Sequence, residues 1–298
     1  NKQGVLIGLC SKNNPDDVNE VIASHPDMQL REEHITIKKV NWTDKVSNFK
    51  EISNELNIGL DSLVFVDDSS FEVNLIKEQL PEVTVLQVPD KLYEYPKMLR
   101  NNLDLFYNLS LTSEDSKKIE MYKHQVKRET VKKEFTDIED YLASLGLKIN
   151  IFENDESNVP RMSQMSQKTN QFNLTTKRYT DGDILKFIDN PNVNVFAFSV
   201  SDKFGDSGLV GLCIVFINNQ KISADINTLL MSCRIIGRNI EFAFMDYLVT
   251  KMQEKKINEV KAQYIKTQKN EQVEDFYGKC SFELIDKNDL IKNYVFQL

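Results

Sequence analysis

Between residues 4 and 107 short apolar runs alternate with amphipathic stretches, and this alternation restricts the fold more than any other feature of the sequence. Residues 5–10, 62–66 and 83–88 read as strands, and the stretches near 15–24, 43–57 and 70–79 read as helices. Strands that are apolar along their length and separated by helices belong to βαβ units, with a parallel sheet covered on both faces. Beyond residue 140 the pattern changes. A strand near 147–152 and helices near 157–168 and 180–189 precede consecutive strands near 194–201, 208–217 and 220–231. Short polar turns such as Asn218-Asn219 join these strands, which argues for antiparallel pairing. An apolar helix at 238–253, a strand near 259–264, a helix near 270–279 and two terminal strands follow. The expectation is an α/β chain of two differently folded domains, over 1–110 and 141–298, joined by a charged helix within 111–140.

A chain of 298 residues is long enough for two cores. Its 37 basic and 45 acidic side chains leave a net charge of -8, which argues against nonspecific binding of nucleic acid. No apolar run approaches the ~20 residues that span a bilayer, and the stretch after Asn1 is too short for a signal peptide, so no membrane partner is expected. Cys10, Cys213, Cys233 and Cys280 form no C-x-x-C pair; neither a zinc knuckle nor a disulfide framework is indicated, and a reducing cytoplasm is the expected location. The sequence has no initiator methionine and enters an apolar stretch at once, so it is expected to begin inside a domain.

Asp67 and Asp68 stand where an apolar strand ends. Ligands of open parallel sheets bind outside the carboxyl ends of the strands, where paired carboxylates suit a hard cation such as Mg2+. Upstream, the run 5–10 ends in Ser11-Lys12-Asn13-Asn14, whose hydroxyl, ammonium and amides suit phosphate oxygens. Lys45 lies between, and its compact charge can offset a phosphoryl group and a carboxylate. Taken singly, these residues also read as a strand-end turn, a helix cap and a surface lysine.

In this order they resemble the later motifs of the haloacid dehalogenase (HAD) superfamily. The segments Leu9-Cys10-Ser11-Lys12-Asn13-Asn14, His25-Pro26-Asp27-Met28, Asn41-Trp42-Thr43-Asp44-Lys45 and Phe65-Val66-Asp67-Asp68-Ser69-Ser70-Phe71-Glu72 resemble its FkbH-type subfamily. The resemblance implies an HAD-like Rossmannoid sheet, with Ser11 as the phosphate-binding hydroxyl, Lys45 as the basic group, Asp67 and Asp68 as Mg2+ ligands, and Lys12 and Asn13 beside the substrate. It also implies an Asp-x-Asp nucleophile motif on a first strand, and none precedes Val5. Asp16-Asp17 open a helix, where acidic side chains favour the positive end of the dipole, and cannot replace it. The polypeptide as it stands is therefore expected to be inactive in phosphotransfer, with the first strand of the domain missing. Cys10, next to Ser11, reads either as a small buried residue or as the carrier of a glyceryl thioester.

In the second half, Arg234-Ile235-Ile236-Gly237-Arg238-Asn239 follows a strand and opens a helix, a junction whose backbone N–H groups can hold a pyrophosphate. It resembles the coenzyme A loop of the GCN5-related N-acetyltransferases (GNAT), with Asn239 departing from the final small residue. Lys269-Asn270-Glu271 and Phe276-Tyr277-Gly278-Lys279-Cys280-Ser281-Phe282 resemble that superfamily's last helix. The likeness implies a GNAT-like α+β domain in which Arg234, Gly237, Arg238, Asn239 and Asn270 bind cofactor and Tyr277 protonates a departing thiolate; on residue type alone Tyr277 is equally a core aromatic. The polar stretch 168–179 resembles the second-domain signature of FkbH-type proteins and implies carrier or pantetheine contacts by Asn170, Gln171, Asn173 and Arg178, although a structured polar loop would look the same.

The function implied for the full-length protein is that of an enzyme: Mg2+-dependent dephosphorylation of a small phosphorylated glyceryl donor, with the glyceryl group loaded on an acyl carrier protein. The alternatives are a coenzyme A-dependent GNAT acyltransferase and a noncatalytic carrier-binding module. The implied cofactors are Mg2+ and either coenzyme A or phosphopantetheine.

Overall fold

The computed structural model describes residues 4–107, 113–220 and 222–298, so the boundary expected at residue 110 and the first residues of the expected connector lie outside the described residues. The chain divides into two compact units, Asn1–Thr136 and Asp137–Leu298.

The first unit runs β1 (Ile7–Ser11), α1 (Pro15–Ser24), β2 (Ile35–Val40), α2 (Lys45–Leu56), β3 (Val64–Asp67), α3 (Ser70–Gln79), β4 (Thr84–Gln87), α4 (Tyr95–Asn101) and α5 (Ser113–Lys132). Local chemistry sets the helix ends. Pro15 has its ring φ preset at the first position of α1. Asp44 caps α2 by accepting from Ser47 N–H, and Asn57 closes it at φ 53, in the left-handed region. β1 pairs in parallel with β2, and β3 with β4; among the described residues these are separate two-stranded sheets. Each of β1 and β3 therefore has one edge without a strand partner among those residues, and most of their residues are half-buried or exposed rather than covered on both faces as expected.

Val46 and Phe49 of α2 pack with Phe65 of β3 and with Val73 and Ile76 of α3. Tyr122 of α5 packs with Ile37, Ile52 and Leu56, and Lys123 donates to the carbonyls of Glu32 and Glu33. The charged helix expected to join the domains thus belongs to the packing of the first unit. β2 is an addition to the expected elements.

The second unit comprises α6 (Ile138–Leu145), β5 (Lys148–Glu153), α7 (Val159–Lys168), β6 (Phe172–Asn173), α8 (Asp181–Ile188), β7 (Val193–Asp202), β8 (Gly205–Asn218) and β9 (Ser223–Met231), then α9 (Ile240–Glu254), β10 (Glu259–Ile265), α10 (Phe276–Lys279), β11 (Glu283–Lys287) and β12 (Ile291–Gln297). Its eight-stranded sheet has the order β11-β12-β10-β9-β8-β7-β5, with β6 on β9. Neighbours are antiparallel except β9 and β10, which are parallel. α9 covers one face through Ile240, Phe244 and Leu248, and α7 and α8 cover the other through Met162, Met165 and Ile184. The helix expected over 270–279 is shorter: a turn at Glu271–Val273 and then α10.

β9 and β10 pair only from Ser223 to Ile226 against Glu259 to Ala262. Beyond that they part, and the chain's own segment 172–174 bridges them: Phe172 and Asn173 pair with Met231 and Leu230, Leu174 N–H donates to Leu229 O at 3.1 Å, and Ile265 N–H donates to Leu174 O at 2.7 Å. Among the described residues no helix is long and apolar enough to cross a membrane.

Candidate functional site

The parallel strands of the first unit deliver Ser11, Asp67 and the residues after them to the carboxyl edge. Lys45 is the first residue of α2, a position where a cation opposes the helix dipole, and it is only 8% exposed. What offsets both penalties is Asp67, whose Oδ2 accepts from Lys45 Nζ at 2.6 Å; the ammonium also lies 5.5 Å from the Phe65 ring centre. Asp67 Oδ1 accepts from Ser69 N–H at 2.9 Å, so both of its oxygens are engaged. Ser69, and neither aspartate, caps α3. Asp68 is exposed. Ser11 is not a helix cap either, since Asn14 occupies that position before α1. Lys12 follows Ser11 and forms a 2.8 Å ion pair with Glu72 of α3. Asn13 is exposed and accepts from Asn14 N–H.

Mg2+ commonly takes one or two carboxylates and completes its shell with water and phosphate oxygens. Asp67 and Asp68 fit that limited role, with Lys45 fixing the orientation of Asp67. Among the described residues no three His, Cys, Asp or Glu side chains converge to hold a metal by themselves. Cys10 sits within electrostatic range of Lys45, Asp67 and Glu72, but burial pushes its thiol up to about 11 against the opposing pull of Lys45. It is a neutral thiol near pH 7, so a thioester role would need a base to take its proton.

The second unit treats its expected cofactor residues differently. Gly237 and Asn239 take φ of 82 and 58, which turns the loop sharply into α9, and Asn239 gives no side-chain cap. Arg234 and Arg238 are both buried. Arg238 lies 3.6 Å from Asp202 and donates to Arg234 O at 2.7 Å, and Arg234 Nε donates to Ser232 Oγ at 3.3 Å. Both guanidiniums fasten the loop from inside, which leaves backbone N–H groups as its offer to a diphosphate.

Asn270 is fully buried: it donates to Asn173 O and Ile265 O, each at 2.9 Å, and accepts from Thr267 N–H and Tyr264 OH. It fixes the segment bridging β9 and β10. Tyr277 is buried among Phe276, Phe282 and Tyr294, its hydroxyl lacks a hydrogen-bond partner among the described residues, and burial pushes its ionisation well up. It is a core aromatic, and the expected cofactor and acid side chains of this unit do not fit coenzyme A through their charges or hydroxyl.

Part of the polar stretch 168–179 bonds within itself, and Thr175 and Tyr179 reach Asn227 of β9. Arg178 donates to Thr169 O at 2.9 Å, to Ser166 O, and to Asn170 Oδ1 at 2.5 Å. Asn173 is fully buried, donating to Thr169 O and accepting from Thr176 N–H. Gln171 is half-buried. Sequence reasoning missed a cavity of about 500 Å³ on this unit's sheet, lined among others by Lys177, Asp225, Asn227, Lys261 and Gln263. These residues come from separate strands and a loop, with no motif to signal them.

No family model matches the chain, and no curated protein does. Among solved structures, the N-terminal part of BF1531 from Bacteroides fragilis, containing a phosphatase domain complexed with Mg, is 38% identical over 36% of this chain, with a TM-score of 0.34. The match spans 28% of that chain. PaiA N-acetyltransferase from Thermoplasma acidophilum, in complex with coenzyme A, is 16% identical over 51% of this chain and 99% of its own, with a TM-score of 0.40. The ribosomal-protein-S18-alanine N-acetyltransferase from Escherichia coli is 8% identical over 50% of this chain and 94% of its own, with a TM-score of 0.39. The chain is α/β, with parallel strand pairs in its first unit and, in its second, a mainly antiparallel eight-stranded sheet with helices on both faces.

Proposed function

We propose that the first unit binds a phosphorylated small molecule together with Mg2+, as the acceptor side of an HAD-type phosphatase centre. The observation that carries the reading is the buried 2.6 Å pair of Lys45 and Asp67 at the carboxyl edge of β3. A lysine at a helix start, buried against a carboxylate, is an arrangement the fold does not need and phosphate chemistry does. In this reading Ser11 and Lys12 bind phosphate oxygens, Lys45 holds Asp67 in place, and Asp67 and Asp68 hold the metal, whose chemistry is to neutralise phosphoryl charge. A strand carrying Asp-x-Asp would find open edges on β1 and β3. The protein is proposed to act on a glyceryl phosphate donor in the cytoplasm and to load an acyl carrier protein. Calorimetric titration with orthophosphate tests the site: binding that requires Mg2+, lost in Lys45→Met and in Asp68→Asn, is the expected result, and Mg2+-independent or unchanged binding defeats it.

A second reading concerns the other unit. The buried Arg234, Arg238, Asn270 and Tyr277 favour a noncatalytic carrier-binding module over a coenzyme A-dependent acyltransferase. Its thermal midpoint is expected to stay unchanged in millimolar coenzyme A; a rise of several degrees would restore the acyltransferase.

A further inference from the structure

The sequence Ser69-Ser70-Phe71-Glu72 has the form of a capping box, in which the glutamate would return to the N–H of the capping serine. Half of the box forms: Ser69 Oγ accepts from Glu72 N–H at 3.4 Å. The other half does not, because Ser69 N–H is already taken by Asp67 Oδ1 at 2.9 Å. The carboxylate of Glu72 is thereby released from the helix start and turns toward the strand ends, where its Oε1 accepts from Lys12 Nζ at 2.8 Å. Glu72 is 7% exposed, and its Oε2 is buried without a hydrogen-bond partner among the described residues. A buried carboxylate oxygen left unpaired is expensive, and helix stability does not explain keeping it, since a capping box would satisfy the same side chain.

We infer that Glu72 is a positioning residue of the proposed phosphate site, holding Lys12 at the end of β1 so that its ammonium meets an anion beside Ser11. The inference rests on the phosphate reading of the first unit. It ties two strand ends that share no ladder: Lys12 follows β1, and Glu72 lies in the first turn after β3. Lys12 is partly exposed and so remains reachable by a ligand while anchored from behind. The free Glu72 oxygen supplies an acceptor for a hydroxyl or a water on the ligand.

Charge alone predicts the opposite of positioning, and this makes the test decisive. If Glu72 were merely a negative charge near an anion site, neutralising it would tighten anion binding. Positioning predicts that Glu72→Gln weakens orthophosphate binding, measured by calorimetry with Mg2+ on the whole chain, by about tenfold. Lys12→Gln should weaken it by a similar factor, and the double variant should be no weaker than either single one. Glu72→Gln binding as tightly as the wild type or more so, or losses that multiply in the double variant, would overturn the inference. Wild-type protein that binds no orthophosphate sinks the phosphate reading as well, which separates the two failures. Where Glu72→Gln does not fold, Glu72→Asp serves in the same cycle: its carboxylate is one methylene short of Lys12, and the same loss is expected.

Discussion

Replacing Lys45 by methionine keeps most of the side chain's length and removes its charge. Asp67 would then be left 12% exposed with one oxygen unpaired, and the expected cost is about 3 kcal/mol in the unfolding of the first unit, measured by urea titration. The double variant Lys45→Met/Asp67→Leu should recover much of that loss, because removing both charges also removes their desolvation. A second residue-scale expectation concerns Cys10, whose thiol burial pushes up to about 11. Alkylation by iodoacetamide, followed by mass spectrometry, should be slow at pH 7.5 and should accelerate only as the pH approaches that value; fast labelling at neutral pH would revive the nucleophile reading. At this scale the sequence indicated Ser11, Lys45, Asp67 and Asp68 through their order along alternating strands and helices, and of these the structure brings Lys45 and Asp67 into contact. The sequence could not carry the roles of Asn270, Arg238 or Tyr277, since the same residue types serve a buried hydrogen-bond hub, a loop fastener or a cofactor contact, and only burial separates these uses.

Most strands were legible from their apolar positions, including charge-bearing ones such as β5 and β10, but β2 was not. β2 reads Ile-Thr-Ile-Lys-Lys-Val, and its two lysines broke the pattern of a continuous apolar run. In the structure Lys38 pairs with Glu32 at 2.7 Å and Lys39 with Glu51 at 2.8 Å and Glu55 at 3.0 Å, so this strand satisfies its charges outside the core. The short β6 was illegible for another reason: two residues give no periodicity, and their strand geometry exists only because β9 and β10 part there. Within the strongly apolar β7 and β8 the packing is stricter than the pattern suggests. Phe198 stands opposite Gly211, its ring lying where a side chain on Gly211 would project, and stacks on Phe244 at 4.5 Å. A Cβ on Gly211 would come within 1.8 Å of that ring. Gly211→Ala should therefore cost about 3 kcal/mol through displacement of the ring, with loss of near-ultraviolet circular dichroism. Phe198→Leu in the same background should restore part of it.

The two units differ in how completely their strands are paired, and that difference should be visible in solution. In the second unit β7, β8 and β9 each have strands on both sides and helices on both faces, and β8 is apolar from Leu209 to Ile217. In the first unit the apolar strands β1 and β3 have one neighbour each among the described residues, and Val66 is 44% exposed at the centre of β3. Amide exchange protection rises with burial and with pairing, up to the free energy of global unfolding. Hydrogen exchange read by mass spectrometry on peptides should accordingly find the slowest amides in β8 and its neighbours, with those of β1 and β3 exchanging faster by about a hundredfold or more, equivalent to ~3 kcal/mol. A lower-melting transition for the first unit should accompany it in calorimetry. If β1 and β3 protected their amides as well as β8 does, the edges that lack a strand partner among the described residues would have to be covered in solution, and the proposal that they are available to a further strand would fall with the prediction.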